Sequence, residues 1–169
     1  MNYVLLLRAV NLGPTNKLPM KDLKALLEDL GHDDVKTYLN SGNATFSSSS
    51  RSVRTLASDV EEGLGTRLGL DVRACVRTSG DIQKALDELP ELEGYVVVGV
   101  LFDRPPPLAL RDFLATEWAS ETVAGNDQVL YLAYHDGVQR SKLTIARIEK
   151  ALGVGCTART PATLRKLLA

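Results

Sequence analysis

Val35-Lys36-Thr37-Tyr38-Leu39-Asn40-Ser41-Gly42-Asn43-Ala44-Thr45-Phe46 is the stretch that decides the fold. Residues 35–39 and 44–46 have strand composition. Between them Asn40-Ser41-Gly42-Asn43 supplies the small and amide residues that a tight hairpin turn accepts. Working upstream, residues 3–8 read as a buried strand broken by Asn11-Leu12-Gly13-Pro14. Pro19 then opens a helix at a first-turn position, and Met20, Leu23, Leu27 and Leu30 form an apolar stripe that ends at Gly31. Downstream, the serines at 47–50 and 52 form a loop into a second helix, where Val53, Leu56, Val60, Leu64 and Leu68 share one face. Residues 71–77 close the set as a strand. A hairpin set between two helices gives the order βαββαβ, in which two helices cover one side of a four-stranded antiparallel sheet.

The same order recurs further along. A linker helix over residues 81–89 follows Ser79-Gly80 and ends at Pro90, and residues 95–102 then read as a strand. Pro105-Pro106-Pro107 starts a helix carrying Leu110, Leu114 and Trp118, and Val123 with residues 129–134 supplies two more strands. A helix over 143–152, a short strand near Cys156 and a terminal helix over 161–168 complete the chain. The fold class is therefore α/β (α+β): two ferredoxin-like βαββαβ lobes, residues 1–78 and 94–169, joined by a linker over 79–93. The two lobes share no obvious residue identity.

The 169 residues, 44% apolar and 24% charged, suit one compact domain or two small lobes. Such a chain buries about 68–70% of its unfolded surface and needs no metal or disulfide to hold it together. Cys75 and Cys156 stand far apart and there are two histidines, so neither a zinc site nor a disulfide framework can be assembled. No cofactor is called for. A reducing cytoplasm is the expected location, since no leader pattern precedes the first strand and the apolar runs are short, with no membrane association. Net charge is −1, which argues against a polycation coating nucleic acid or membrane. The charge is nonetheless uneven: 10 basic and 9 acidic residues up to Gly80, 3 and 11 over 81–136, and 7 and 1 over 137–169. The basic tail can meet an external anion or the acidic middle of its own chain.

Several clusters carry candidate chemistry. The loop after the first strand, Arg8 to Lys17, combines a strand-end cation, Asn11, Asn16 and a lysine before a helix start, the ingredients of an anion site. It matches neither a Walker A loop nor a GxGxxG turn. The plainer reading is that Asn11 and Asn16 serve the turn and Arg8 pairs with a carboxylate. Ser41 and Asn43 lie in the hairpin turn, and Ser41 has no partner placed by sequence to activate it. His135-Asp136-Gly137 sits at a strand end, where Asp136 and Gly137 suit a turn. His32 follows a helix-ending glycine. In Gln139-Arg140-Ser141-Lys142-Leu143-Thr144, Ser141 reads as the N-cap of the helix through Ile148, flanked by Arg140 and Lys142 where negative charge is favoured. Arg159 reaches the same region if the terminal helix folds back. Paired carboxylates such as Glu61-Glu62 read as exposed faces, and with 5% aromatics and no RNA-recognition signature, base stacking on the sheet is a weak prospect.

Leu5-Leu6-Leu7-Arg8-Ala9-Val10-Asn11-Leu12-Gly13, then Lys17-Leu18-Pro19-Met20, Gly31, Val35, Thr37-Tyr38 and Ser41-Gly42-Asn43 with Phe46, resemble the uncharacterised bacterial proteins called domain of unknown function 1697. Gly137, Arg140-Ser141-Lys142-Leu143-Thr144 and Gly153 through Thr157-Ala158-Arg159 are similar to that family's second signature. The resemblance implies a soluble protein of two α/β subdomains and brings no established activity, cofactor or catalytic residue. Where the family reads LRGINVGG this chain has Ala9 and Pro14 in place of glycines, and where it reads ARNW this chain has Thr160 and Pro161. Pro14 removes one backbone donor from any anion cradle in that loop.

The expectation is a binding domain whose interlobe cleft takes a small anionic ligand, a nucleotide, short nucleic acid or phosphorylated metabolite, through Arg8, Asn11, Lys17, Ser41, Asn43, Arg140, Ser141, Lys142 and Arg159. Two alternatives stand beside it. One is a small transferase or hydrolase acting on a phosphorylated substrate through Ser41 or His135, for which no triad or metal set is complete. The other is an interaction protein, a homo-oligomer among its forms, that pairs the acidic middle with the basic tail.

Overall fold

A computed structural model describes all 169 residues. The chain divides into two compact units, Met1–Lys84 with Lys166–Ala169, and Ala85–Arg165. In chain order the elements are β1 (Asn2–Leu7), α1 (Met20–Asp29), β2 (Asp33–Tyr38), β3 (Asn43–Ser47), α2 (Val53–Leu68), β4 (Ala74–Thr78), α3 (Ser79–Asp87), β5 (Tyr95–Leu101), α4 (Pro107–Ala115), β6 (Glu121–Gly125), β7 (Val129–Tyr134), α5 (Ile145–Leu152), β8 (Cys156–Arg159) and α6 (Pro161–Leu168). The sheets have the orders β2-β3-β1-β4 and β6-β7-β5-β8, all neighbours antiparallel. Both βαββαβ copies are thus present, each with its first strand in the middle.

In the first unit, Tyr3, Leu5 and Leu7 alternate along β1 and meet Leu23, Leu26 and Leu27 of α1 and Leu56, Val60 and Leu64 of α2 in one core. The period of 2 in the strand and 3.6 in the helices puts these residues on facing surfaces. The two helices approach closely at Gly63, where an added Cβ would lie 2.6 Å from Leu26 Cδ1. Ser52 caps α2 by accepting from the Thr55 amide, and Gly69 ends it in the left-handed conformation at φ +66°. Such a cap is worth about 1 kcal/mol. An aromatic ladder runs across the sheet, with Tyr3 and Phe46 5.7 Å apart and His32 stacked on Phe46 at 4.4 Å.

The second unit repeats the plan around Leu101, Phe113, Leu130, Leu132, Tyr134, Ile148 and Leu152. Tyr134 donates to the Leu143 carbonyl at 2.8 Å. Burial, with Glu121 nearby, pushes its phenol up to about 12. Element boundaries shift in a few places. The last strand of the first unit starts at Ala74 rather than residue 71, because the Ala74 amide and the Arg73 guanidinium both donate to Glu61 on α2. Trp118 lies beyond α4, packed on Phe113 and under the Arg147 guanidinium, 4.9 Å from the indole centroid. Pro19 is the N-cap of α1 rather than a first-turn residue. No helix is long and apolar enough to cross a membrane.

Candidate functional site

The β1–α1 connection and the β2–β3 hairpin turn, 20 or more residues apart in sequence, come together at one end of the first sheet. Two bonds fix the meeting. The Leu7 amide donates to the Gly42 carbonyl at 2.9 Å, and Asn11 Nδ2 donates to the Asn40 carbonyl at 2.6 Å. Gly42 is required at this contact. Its φ is +82°, and a Cβ would lie 2.7 Å from both Leu7 Cβ and Val10 Cγ2.

Asn11 organises the long connection from within. Its Nδ2 also donates to the Leu18 carbonyl and its Oδ1 accepts from the Leu18 amide, each at 2.8 Å, so the side chain pairs with Leu18 as a strand neighbour would. Its own amide donates to Asn16 O at 3.1 Å. Asn11 and Asn16 both sit in the left-handed region, at φ +55° and +52°, where asparagine is tolerated best after glycine. Ala9 sits there too, at φ +57°. In the hairpin turn, buried Asn43 donates from Nδ2 to the Tyr38 carbonyl and to Ser41 Oγ. Asn43 and Ser41 therefore knit the turn.

Between the two loops lies a pocket of about 320 Å³ lined by Asn11, Gly13, Lys17, Leu18, Pro19 and Asn40. Its one charged lining residue is Lys17, which is exposed and makes no ion pair. Pro19 caps α1 without a side-chain bond to the first turn. Arg8 is half-buried at the start of the connection, its amide bonded to the Arg73 carbonyl.

The second unit holds the other sequence candidates. Thr144, not Ser141, caps α5, accepting from the Arg147 amide at 3.1 Å. Ser141 instead donates to Glu121 Oε1 at 2.6 Å and accepts from the Leu143 amide. The reason is local: with Ser141 turned to the β6 edge, the helix begins three residues later, at the next hydroxyl able to cap it. A carboxylate thus stands beside the Arg140–Lys142 pair, both of which are exposed. Arg159 lies on β8, the opposite edge of the same sheet, with its guanidinium on Thr157 Oγ1 and Ala158 O. The structure does not bring Arg159 and Ser141 together. His135 is exposed, with Nε2 3.0 Å from Thr122 Oγ1.

The two copies make an internal comparison. Leu101 N bonds to Gln128 O and Phe102 N to Gly155 O, the counterparts of Leu7 N to Gly42 O and Arg8 N to Arg73 O. From these matched points the chain reaches its first helix through residues 102–106 in the second unit and through residues 8–19 in the first. Gly13, Leu18 and Asn40 line the pocket although the sequence had not marked them as ligand residues. The signal available was the length of the 8–19 connection beside its 102–106 counterpart.

The family described as Protein of unknown function (DUF1697) matches residues 1–131. The chain belongs to this family. The DUF1697 match takes in the whole β1–α1 connection and the hairpin turn, and ends before Arg140. The structure of the conserved bacterial protein SP0830 from Streptococcus pneumoniae is similar to this DUF1697 chain, with a TM-score of 0.75, 18% identity, and coverage of 99% of this chain and 98% of that one. At that identity the likeness concerns the fold. No curated protein matches the chain.

Proposed function

We propose that this protein binds a small anionic ligand in the pocket between the β1–α1 connection and the β2–β3 turn. The observation that carries the reading is the difference between the two copies: the second unit closes the same strand-to-helix step with five residues where the first uses twelve. The fold does not need the additional length, and it is this connection that supplies Asn11, Gly13, Lys17, Leu18 and Pro19 to the pocket. Long connections held in a defined shape inside a compact domain are commonly functional. A volume of about 320 Å³ is at the small end of ligand sites, which run from about 300 to 1,000 Å³. One cation in the lining suits a single phosphate or carboxylate better than a nucleic-acid backbone, whose affinity is built from several cations. The Arg140–Lys142 segment is the weaker candidate because Glu121 shares its hydrogen-bond network. Cys75 and Cys156, buried as thiols, fit a cytoplasmic location for the protein.

The test is an amide-resolved NMR titration of the full chain with inorganic phosphate and phosphorylated small molecules. Binding should move the Gly13, Lys17 and Asn40 signals. Lys17→Ala should weaken it about tenfold, while the Arg140→Ala/Lys142→Ala double variant leaves it unchanged. Shifts confined to residues 140–144, or none at all, overturn the assignment.

A further inference from the structure

Resting on that reading, we infer that the ligand of the pocket is amphipathic: a monophosphate or carboxylate joined to an aromatic or aliphatic body that lies against Leu12 and Leu39. These two leucines are 78% and 53% exposed, among the few large apolar side chains the molecule leaves in water. Single exposed leucines are ordinary, but each of these two adjoins in the chain a residue that lines the pocket. Leu12 stands between the lining residues Asn11 and Gly13, Leu39 immediately precedes Asn40, and the Asn11–Asn40 hydrogen bond clips the two segments together. Neither leucine belongs to the hydrophobic core of its unit.

Leu39 is also held at φ +60°, a conformation that a branched side chain disfavours and that asparagine or glycine would adopt more readily. A turn that already contains Asn40, Ser41 and Gly42 has no folding need for leucine at this position. Exposure and backbone strain together fit a side chain kept for contact with something else. With exposed Pro19 in the lining, the pocket has apolar surface on one hand and the Lys17 ammonium on the other. Inorganic phosphate would use only the second. Covering about half of each leucine is enough for roughly tenfold in affinity.

The experiment compares inorganic phosphate, phenyl phosphate and adenosine monophosphate by NMR titration against the wild-type chain and its Leu12→Ser, Leu39→Asn and Lys17→Ala variants. Both organic phosphates should bind about tenfold or more tightly than inorganic phosphate. A preference between them separates a nucleotide from a general aryl phosphate. Leu12→Ser and Leu39→Asn should each reduce that advantage severalfold and leave inorganic phosphate unchanged. Because Leu39→Asn relieves the backbone, its melting temperature should equal or exceed the wild type, so a lost affinity is not lost folding. Equal affinity for all three probes, or variants that weaken inorganic phosphate as much as phenyl phosphate, overturns the inference while the anion reading survives. Phenyl phosphate that binds Lys17→Ala as well as wild type overturns the anion reading while the apolar contact survives.

Discussion

Replacing Asn11 should loosen the β1–α1 connection before it affects anything else in the first unit. The side chain makes three bonds, two to Leu18 at 2.8 Å and one to Asn40 O at 2.6 Å. At about 0.5–1.5 kcal/mol each they sum to about 1.5–4.5 kcal/mol, and the half-exposed position points to the middle of that range, about 2–3 kcal/mol. Asn11→Gly comes closest to this quantity, since glycine adopts φ +55° without strain and adds about 0.5–1 kcal/mol of unfolded-state entropy. Asn11→Ala adds about 1 kcal/mol for a Cβ in the left-handed region. Asn11→Asp keeps the acceptor for the Leu18 amide but sets a carboxylate oxygen against the Leu18 and Asn40 carbonyls, so it should be at least as damaging as alanine. For a chain of this size 2–3 kcal/mol lowers Tm by about 5–10 °C. The assay is urea unfolding read by hydrogen exchange at the Leu7 and Leu18 amides, because two units need not unfold in one step. If Asn11→Gly stays within about 0.5 kcal/mol of wild type and the Leu18 amide keeps its protection, the role given to Asn11 is wrong.

Two further outcomes are expected. Ala9→Gly removes left-handed strain of about 1–2 kcal/mol at φ +57° and returns part of it as unfolded-state entropy, so the chain should gain up to about 1 kcal/mol in urea unfolding; a loss would refute the strain argument. His32 is buried on Phe46 with neither ring nitrogen hydrogen-bonded, and burial lowers its pKa against the smaller opposing pull of Asp59 on α2 and Asp33 on β2. The unfolded chain therefore takes up the proton first as pH falls through about 6.5, so stability should decline below that pH until the folded-state histidine also titrates, and be unaffected above it. His32→Phe should flatten the decline between pH 7.5 and 5.5 relative to wild type, and parallel urea midpoints for the two proteins would count against it.

Sequence patterning carried the architecture because its signals were local. The alternation through Tyr3, Leu5 and Leu7, the stripe of Leu56, Val60 and Leu64, and the turn at Gly42 each need only a few neighbouring residues to be read. Both four-stranded sheets and the position of nearly every helix follow from them. What was hidden depended on contacts at long range. Ser141 and Thr144 are both able to cap a helix, and the choice is made by Glu121, twenty residues upstream of Ser141. The β4 boundary is set by Glu61 on a preceding helix. The pocket itself exists only because the hairpin folds back on the end of β1, which no window of sequence around Lys17 or Asn40 contains. Asn11, legible as a turn residue, uses both of its side-chain donors and its side-chain oxygen to hold the two walls together in register.

The antiparallel pairing of β1 with β4 has an architectural consequence. Tyr3 lies opposite Thr78, so the βαββαβ module begins and finishes at the same point on its perimeter. In the second module β8 runs back beside β5 in the same sense, with Arg159 opposite Val98. A module whose two ends are neighbours can be duplicated in tandem, spliced into a host protein or circularly permuted without any strand changing its place. This chain carries two such modules one after the other along its sequence.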